Sequence, residues 1–210
     1  FGKTVEQDMF KLIDPKTQKT LCLRSDITIQ ISRIASSRLA KFSRPLRLSY
    51  SGDILKVRTN QIRPERQFTQ TGFELIGEKS FLADAEVIYL AIDSLKNAGV
   101  PKISLDLTLP TFIETICCDL DLTNKELNSI REVLDKKDLV SLRKLKVSNK
   151  MEIFELILNS IGPIEFSLKS LKSISLSSNA YDLINYIEDV YKEIKKALPD
   201  LSVTLDLSEF

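Results

Sequence analysis

The chain has 210 residues, 43% of them apolar and 28% charged, the balance of one or two globular domains rather than of a disordered or fibrous protein. Histidine is absent, which excludes Ser-His-Asp and Cys-His nucleophiles, His-containing zinc sites and imidazole acid–base chemistry. The net charge of +1 hides an asymmetry: residues 1–80 carry 15 Lys/Arg against 8 Asp/Glu and the remainder 15 against 21, enough to hold an anion but short of the basic stripe of a nucleic-acid binder.

In chain order, Thr20 to Leu23 reads as a short strand. Ser25 or Asp26 can then cap a helix whose Ile27, Ile31, Ile34 and Ala35 recur at helical spacing. Pro45 to Val57 and Gln67 to Ile76 alternate as two strands of a long hairpin with a polar tip at Thr59 to Arg66. Ser80 to Asn97 is an amphipathic helix stopped by Gly99 and Pro101, and Ile103 to Leu109 alternates as a further strand. From Thr111 to about Leu198 the pattern predicts four or five helices, one opened by a Thr123/Glu126 capping box, with an ambiguous serine-rich stretch at Ser167 to Asn179. Alternation at Leu201, Val203, Leu205 and Leu207 predicts a strand that returns to the first sheet and runs to the end of the chain.

The residues that could carry chemistry lie early. Gln70, Gly72 and Glu74 share one face of a strand, so an amide and a carboxylate flank a position without a side chain, leaving room for a ligand. The plain alternative is a bulge or bend at Gly72 with polar neighbours facing water. Asp26 sits at a strand-to-helix corner, where capping is its ordinary task. Lys56 with Arg58, and Arg63 with Arg66, read as solvated basic pairs near a loop. The S-x-x-K match Ser141 to Lys144 lies in a charged helix and is set aside. The three cysteines, Cys22 and the adjacent Cys117 and Cys118, read as reduced, mostly buried thiols. No phosphate or dinucleotide glycine loop occurs, and neither a metal nor a cofactor is expected. The absence of long apolar runs and of a signal at the amino end leads us to expect no membrane segment and a cytoplasmic location.

Three stretches, Leu23-Arg24-Ser25-Asp26-Ile27-Thr28, Gly52-Asp53-Ile54-Leu55-Lys56-Val57-Arg58, and Arg66 to Gly77 (RQFTQTGFELIG), in this order and at these separations, resemble the class II histidyl-tRNA synthetase core. The resemblance is densest from Met9 to Gly77 and reaches Leu109 and Leu205-Asp206-Leu207. It implies an α+β fold, an antiparallel sheet with flanking helices of the class II aminoacyl-tRNA synthetase type plus a helical insertion. The implied boundaries are a core at 1–112, an insertion at 113–199 and a returning core strand at 200–210, with the core incomplete at both ends. It also implies that Asp26, Thr28, Gln70 and Glu74 surround the ammonium and ring of a bound histidine.

The catalytic half of the resemblance is broken. The arginine that the family forks between carboxylate and α-phosphate is matched by Lys56, a point charge that cannot bridge in bidentate fashion. The glutamate facing adenine is matched by Arg58, and a loop arginine by Pro64; Arg66 remains, so Lys56, Arg58 and Arg66 are left as anion contacts. An amino-acid pocket beside a broken ATP site resembles the ATP phosphoribosyltransferase regulatory subunits, a family that implies no catalytic residue of its own. Its implied partners are the short-form ATP phosphoribosyltransferase catalytic subunit and a second copy, as a homodimer within a hetero-oligomer, with histidine as effector and no membrane or nucleic acid. A histidyl-tRNA synthetase core and a synthetase-like interaction scaffold are the alternatives.

Overall fold

The computed structural model describes residues 9–57, 64–120, 122–145 and 152–208. The chain divides into two compact units, Phe1–Lys79 and Ser80–Phe210, each described by itself.

In the first unit, β1 (Lys11–Ile13) and β2 (Thr20–Cys22) form a small antiparallel pair. Helix α1 (Thr28–Ser36) follows, then the long antiparallel hairpin of β3 (Leu46–Leu55) and β4 (Gln67–Ile76). Directly opposed residues of an antiparallel pair put their side chains on one face. The register sets Leu48 opposite Glu74, Tyr50 opposite Gly72, Gly52 opposite Gln70 and Ile54 opposite Phe68. That face includes Ile54, which packs with Ile27 and Ile31 of the α1 segment to form the small core of this unit, with Leu48, Tyr50 and Ile76 against it. Ten consecutive pairs run without interruption, so Gly72 marks no bulge.

The second unit is mostly helical. Ser80 caps α2 (Phe81–Asn97) by accepting from the Ala83 N–H at 3.3 Å, with Asp84 in the first turn and Lys96 in the last to complement the helix dipole. The chain leaves α2 through Gly99 at φ +83°, where an L side chain would be strained. After β5 (Ser104–Leu107) come α3 (Thr111–Asp119), α4 (Asn124–Asp135), α5 (Leu139–Lys144) and α6 (Glu152–Asn159). The two-residue β6 (Gly162–Pro163), α7 (Ile164–Lys172), α8 (Ser178–Ala197) and β7 (Ser202–Leu205) complete the order. Six helices therefore lie among the described residues after Thr111, against four or five read from periodicity. Short segments such as α5 fall below the length at which periodicity declares itself. The Thr123/Glu126 capping box forms as read. The serine-rich stretch resolves into the end of α7 and the start of α8, which Ser177 caps.

The last strand returns to an earlier one: β7 pairs in parallel with β5 and antiparallel with β6, and it ends at Leu205, short of the end read for it. Its inward side chains Val203 and Leu205, with Leu201 and Leu207, are buried in a core that holds 27 of the described residues, among them the fully enclosed Phe112, Phe154 and Ile184. The pairing of β5 with β7, not the hairpin, is the sheet this core builds on.

Candidate functional site

Thr28 is the first residue of α1; Ile27 is its N-cap and supplies no side-chain bond. Asp26, one residue earlier, accepts the Thr28 N–H through Oδ1 at 2.7 Å, an i to i+2 turn contact ahead of the helix in place of the cap expected of it. The same oxygen accepts from Gln70 Nε2 at 3.4 Å, and Gln70 Oε1 accepts the Ile27 N–H at 3.0 Å. This amide ties β4 to the start of α1 from both of its ends, which leaves Asp26 Oδ2 without a partner among the described residues. Asp26, Thr28 and Gln70 are thus brought together, all half-buried.

Glu74 is half-buried on the same face of β4, opposite Leu48. At ~3.3 Å per residue its backbone lies about 13 Å along the strand from that of Gln70. Among the described residues its carboxylate has no hydrogen bond or ion pair, and none links it to Asp26, Thr28 or Gln70. The spacing suits one molecule contacted at both ends better than three acceptors around a single ammonium. Gln70 has in any case one lone pair of its oxygen engaged by Ile27.

Sequence reasoning missed Tyr50. A Cβ built on Gly72 would come within 2.5 Å of the Tyr50 hydroxyl oxygen and 2.6 Å of Cζ, so the cross-strand ring fills the gap that the glycine leaves. The space read as room for a ligand is therefore floored by an aromatic side chain. The Tyr50 hydroxyl lies 3.1 Å from Thr28 Oγ1. The signal was available: in a regular hairpin joining these strands, residues 50 and 72 face each other, and an aromatic opposite a glycine is a recognised pairing.

The basic positions stand elsewhere on the hairpin. Lys56 is half-buried just beyond β3, its N–H donating to the Arg66 carbonyl at 2.8 Å and its ammonium 5.9 Å from the centre of the Phe68 ring. Arg66 is exposed, its guanidinium 5.8 Å from the Phe10 ring. Both cations are within cation–π range of an aromatic ring. Arg58 and Arg63 lie outside the described residues. Arg24, within the first motif, donates from Nε to the Asp53 carbonyl at 2.7 Å, and its guanidinium lies against Gly52.

The cysteine reading needs correction: only Cys117 is buried, while Cys22 and Cys118 are exposed. Adjacent helical residues point about 100° apart, so both members of a Cys-Cys pair cannot face the core. Burial, reinforced by Cys118, pushes the Cys117 thiol up to about 11. Ser141 of the S-x-x-K match donates to Asp138 at 2.5 Å as part of the α5 cap. In the second unit burial, and then the bond to Asp84, push Tyr186 up to about 12, which marks a structural phenol. No group of three or more potential metal ligands occurs among the described residues.

Comparison with known proteins adds to this geometry. The family described as histidyl-tRNA synthetase matches residues 1–210. A curated relative from Rhodospirillum centenum, named ATP phosphoribosyltransferase regulatory subunit, is 37% identical over 98% of this chain and 53% of its own. A solved structure from Bacillus halodurans, described as an ATP phosphoribosyltransferase regulatory subunit/histidyl-tRNA synthetase, superposes with a TM-score of 0.83 at 25% identity, covering 98% of this chain and 54% of that one. An ATP phosphoribosyl transferase complex from Thermotoga maritima shares the fold at a TM-score of 0.69 and 15% identity, over 95% of this chain and 69% of that one. The chain spans about half the length of the curated relatives it matches.

Proposed function

This chain belongs to the histidyl-tRNA synthetase family, and from that premise we propose that it is the synthetase-like part of an ATP phosphoribosyltransferase regulatory subunit. In this reading it carries no catalytic residue or cofactor, and works in the cytoplasm as one copy of a homodimer within a hetero-oligomer. The partner is the short-form catalytic subunit that condenses ATP with phosphoribosyl pyrophosphate, and the effector is histidine. Among the described residues no helix is long and apolar enough to cross a membrane, which accords with the reading.

The observation that carries the proposal is the polar face joining α1 to β4. Asp26, Thr28 and Gln70 are tied into one network, and Glu74, unpaired among the described residues, stands farther along the same strand. A half-buried carboxylate toward either end of such a face suits an amino acid whose charged head meets one end and whose polar side chain meets the other, each charge-assisted bond contributing about 1.5–3 kcal/mol. Lys56 occupies the position where adenylation wants a forked guanidinium, and Lys56 with Arg66 can hold a carboxylate or another anion but cannot supply that fork. The helical insertion between β5 and β7 belongs to the same reading. For histidine to regulate, it must bind one state of the complex better than another, since equal affinity shifts nothing.

The test is calorimetric titration of the full-length protein with histidine, alongside histidine-dependent pyrophosphate exchange. We expect binding without exchange, and Glu74→Gln to weaken binding by about 1–3 kcal/mol. Measurable exchange returns the protein to the synthetases; no binding of any amino acid leaves only an interaction scaffold.

A further inference from the structure

We propose that the second unit holds a binding site for a small organic cation, a primary amine on a short apolar chain, in the cavity between α3, α6 and the connection from α7 to α8. The cavity lies within one unit and draws nothing from the amino-acid face, so the two sites stand or fall separately. Its volume of about 470 Å³ is that of a pocket for a metabolite rather than for a few waters. Ile116 and Ile174 are buried behind it, Ile153 is half-buried, and Leu156 remains 48% exposed, so apolar surface is left open to water inside a concave site. A chain of methylenes would cover that surface.

The walls are fixed before any ligand arrives. Ser177 caps α8 by accepting the Ala180 N–H at 3.2 Å and donates its own proton to Asp119 Oδ2, while the Tyr181 hydroxyl donates to the Ile174 carbonyl at 2.6 Å. The serine-rich connection is thereby pinned to α3 on one side and to α8 on the other. A cavity held by its own hydrogen bonds has less freedom to lose when it is filled.

The sign of the ligand follows from what surrounds the opening. Asp119 and Glu152 line the cavity and are exposed, and no lysine or arginine lines it among the described residues. Glu152 has no hydrogen bond or ion pair among the described residues, and the bond from Ser177 leaves Asp119 Oδ1 over. Ser177 has spent its only proton, and among the described residues neither Ser175 nor Leu176 engages its carbonyl in a main-chain bond. The opening is therefore rich in acceptors and short of donors, the complement of an ammonium with three N–H groups and a positive charge. Asp119 is also the last residue of α3, where the helix dipole adds to the negative field. A carboxylate or phosphate would meet only repulsion there.

The test is calorimetric titration of the full-length protein with n-hexylamine, n-hexanol and hexanoate, and with the shorter butyl- and pentylamine. Hexylamine is expected to bind, each methylene from butyl to hexyl tightening it about fourfold, hexanol to bind more weakly and hexanoate not at all. Glu152→Gln and Asp119→Asn should each weaken hexylamine about two- to fivefold and leave hexanol unchanged. Glu152, exposed and unpaired among the described residues, carries the test if the Asp119 variant fails to fold. Glu74→Gln should leave hexylamine unchanged. No binding of the amine, equal binding of amine and alcohol, or weakening by Glu74→Gln in place of the other two variants overturns this site while the histidine reading stands.

Discussion

The two units solve the problem of stability differently. The second encloses 27 of its described residues in one core, with Phe112, Phe154, Ile130, Leu134 and Ile184 wholly shielded from water. Among its described residues the first gathers Ile27, Ile31 and Ile54 in its cluster, and leaves Ile13, Leu21 and Phe42 substantially exposed. Polar contacts among Asp26, Thr28, Gln70 and Tyr50 involve the same segments as that small core. The residues that would recognise histidine thus sit on the unit with the least apolar packing of its own. The abundant core belongs to the unit whose described residues show no comparable constellation. Low local stability is where ligand-responsive elements are drawn from.

This contrast can be broken most forcefully in the second unit. Phe154→Ala removes a fully buried ring and is expected to cost about 3–5 kcal/mol in chemical denaturation. Histidine titration of the fraction that remains folded should be unchanged. Ile54→Ala empties a third of the small core and is expected to cost less, about 2–3 kcal/mol, because so thin a layer relaxes around the gap. Hydrogen exchange should then show the β3 and β4 amides opening faster while those of α8 keep their protection; equal acceleration in both would mean that the units open as one.

The smallest effect is set by pH. Burial pushes Asp206 up, but Lys137 at 2.5 Å and two hydrogen bonds from Ser208 outweigh it and hold the carboxyl below its ordinary value of 3.8. A group depressed in the folded state stabilises fully above its unfolded value, and that stabilisation is lost as pH falls through the folded one. The second unit should therefore weaken below pH 3.8, and Asp206→Asn should flatten that part of the acid profile. An unaltered acid limb in this variant would remove Asp206 from the account.

Much of this was legible in the residues. Serine at 80, apolar spacing and a glycine stop delimit α2 to within a residue, and alternation gives β3 and β4. Asp26, Thr28 and Gln70 were singled out and do meet. What was lost is what depends on partners distant in sequence. The Tyr50 ring over Gly72 is a matter of register, the choice of β5 as the partner of β7 is a matter of topology, and the exposure of Cys118 follows from helix phase beside a buried neighbour. Periodicity says which face of an element is apolar, but not which other element meets it.

The parallel pairing of β5 with β7 also bears on how the protein emerges from the ribosome. Ser104 waits for Ser202 and Leu107 for Leu205, positions 98 residues apart in both cases, so the central pair of the second unit closes only after that stretch has been made. At about 5–20 residues per second that delay is roughly 5–20 s. Through that interval the helices must leave the exit tunnel with their apolar stripes uncovered. The hairpin that carries the polar face needs no such delay, since its strands leave the tunnel together.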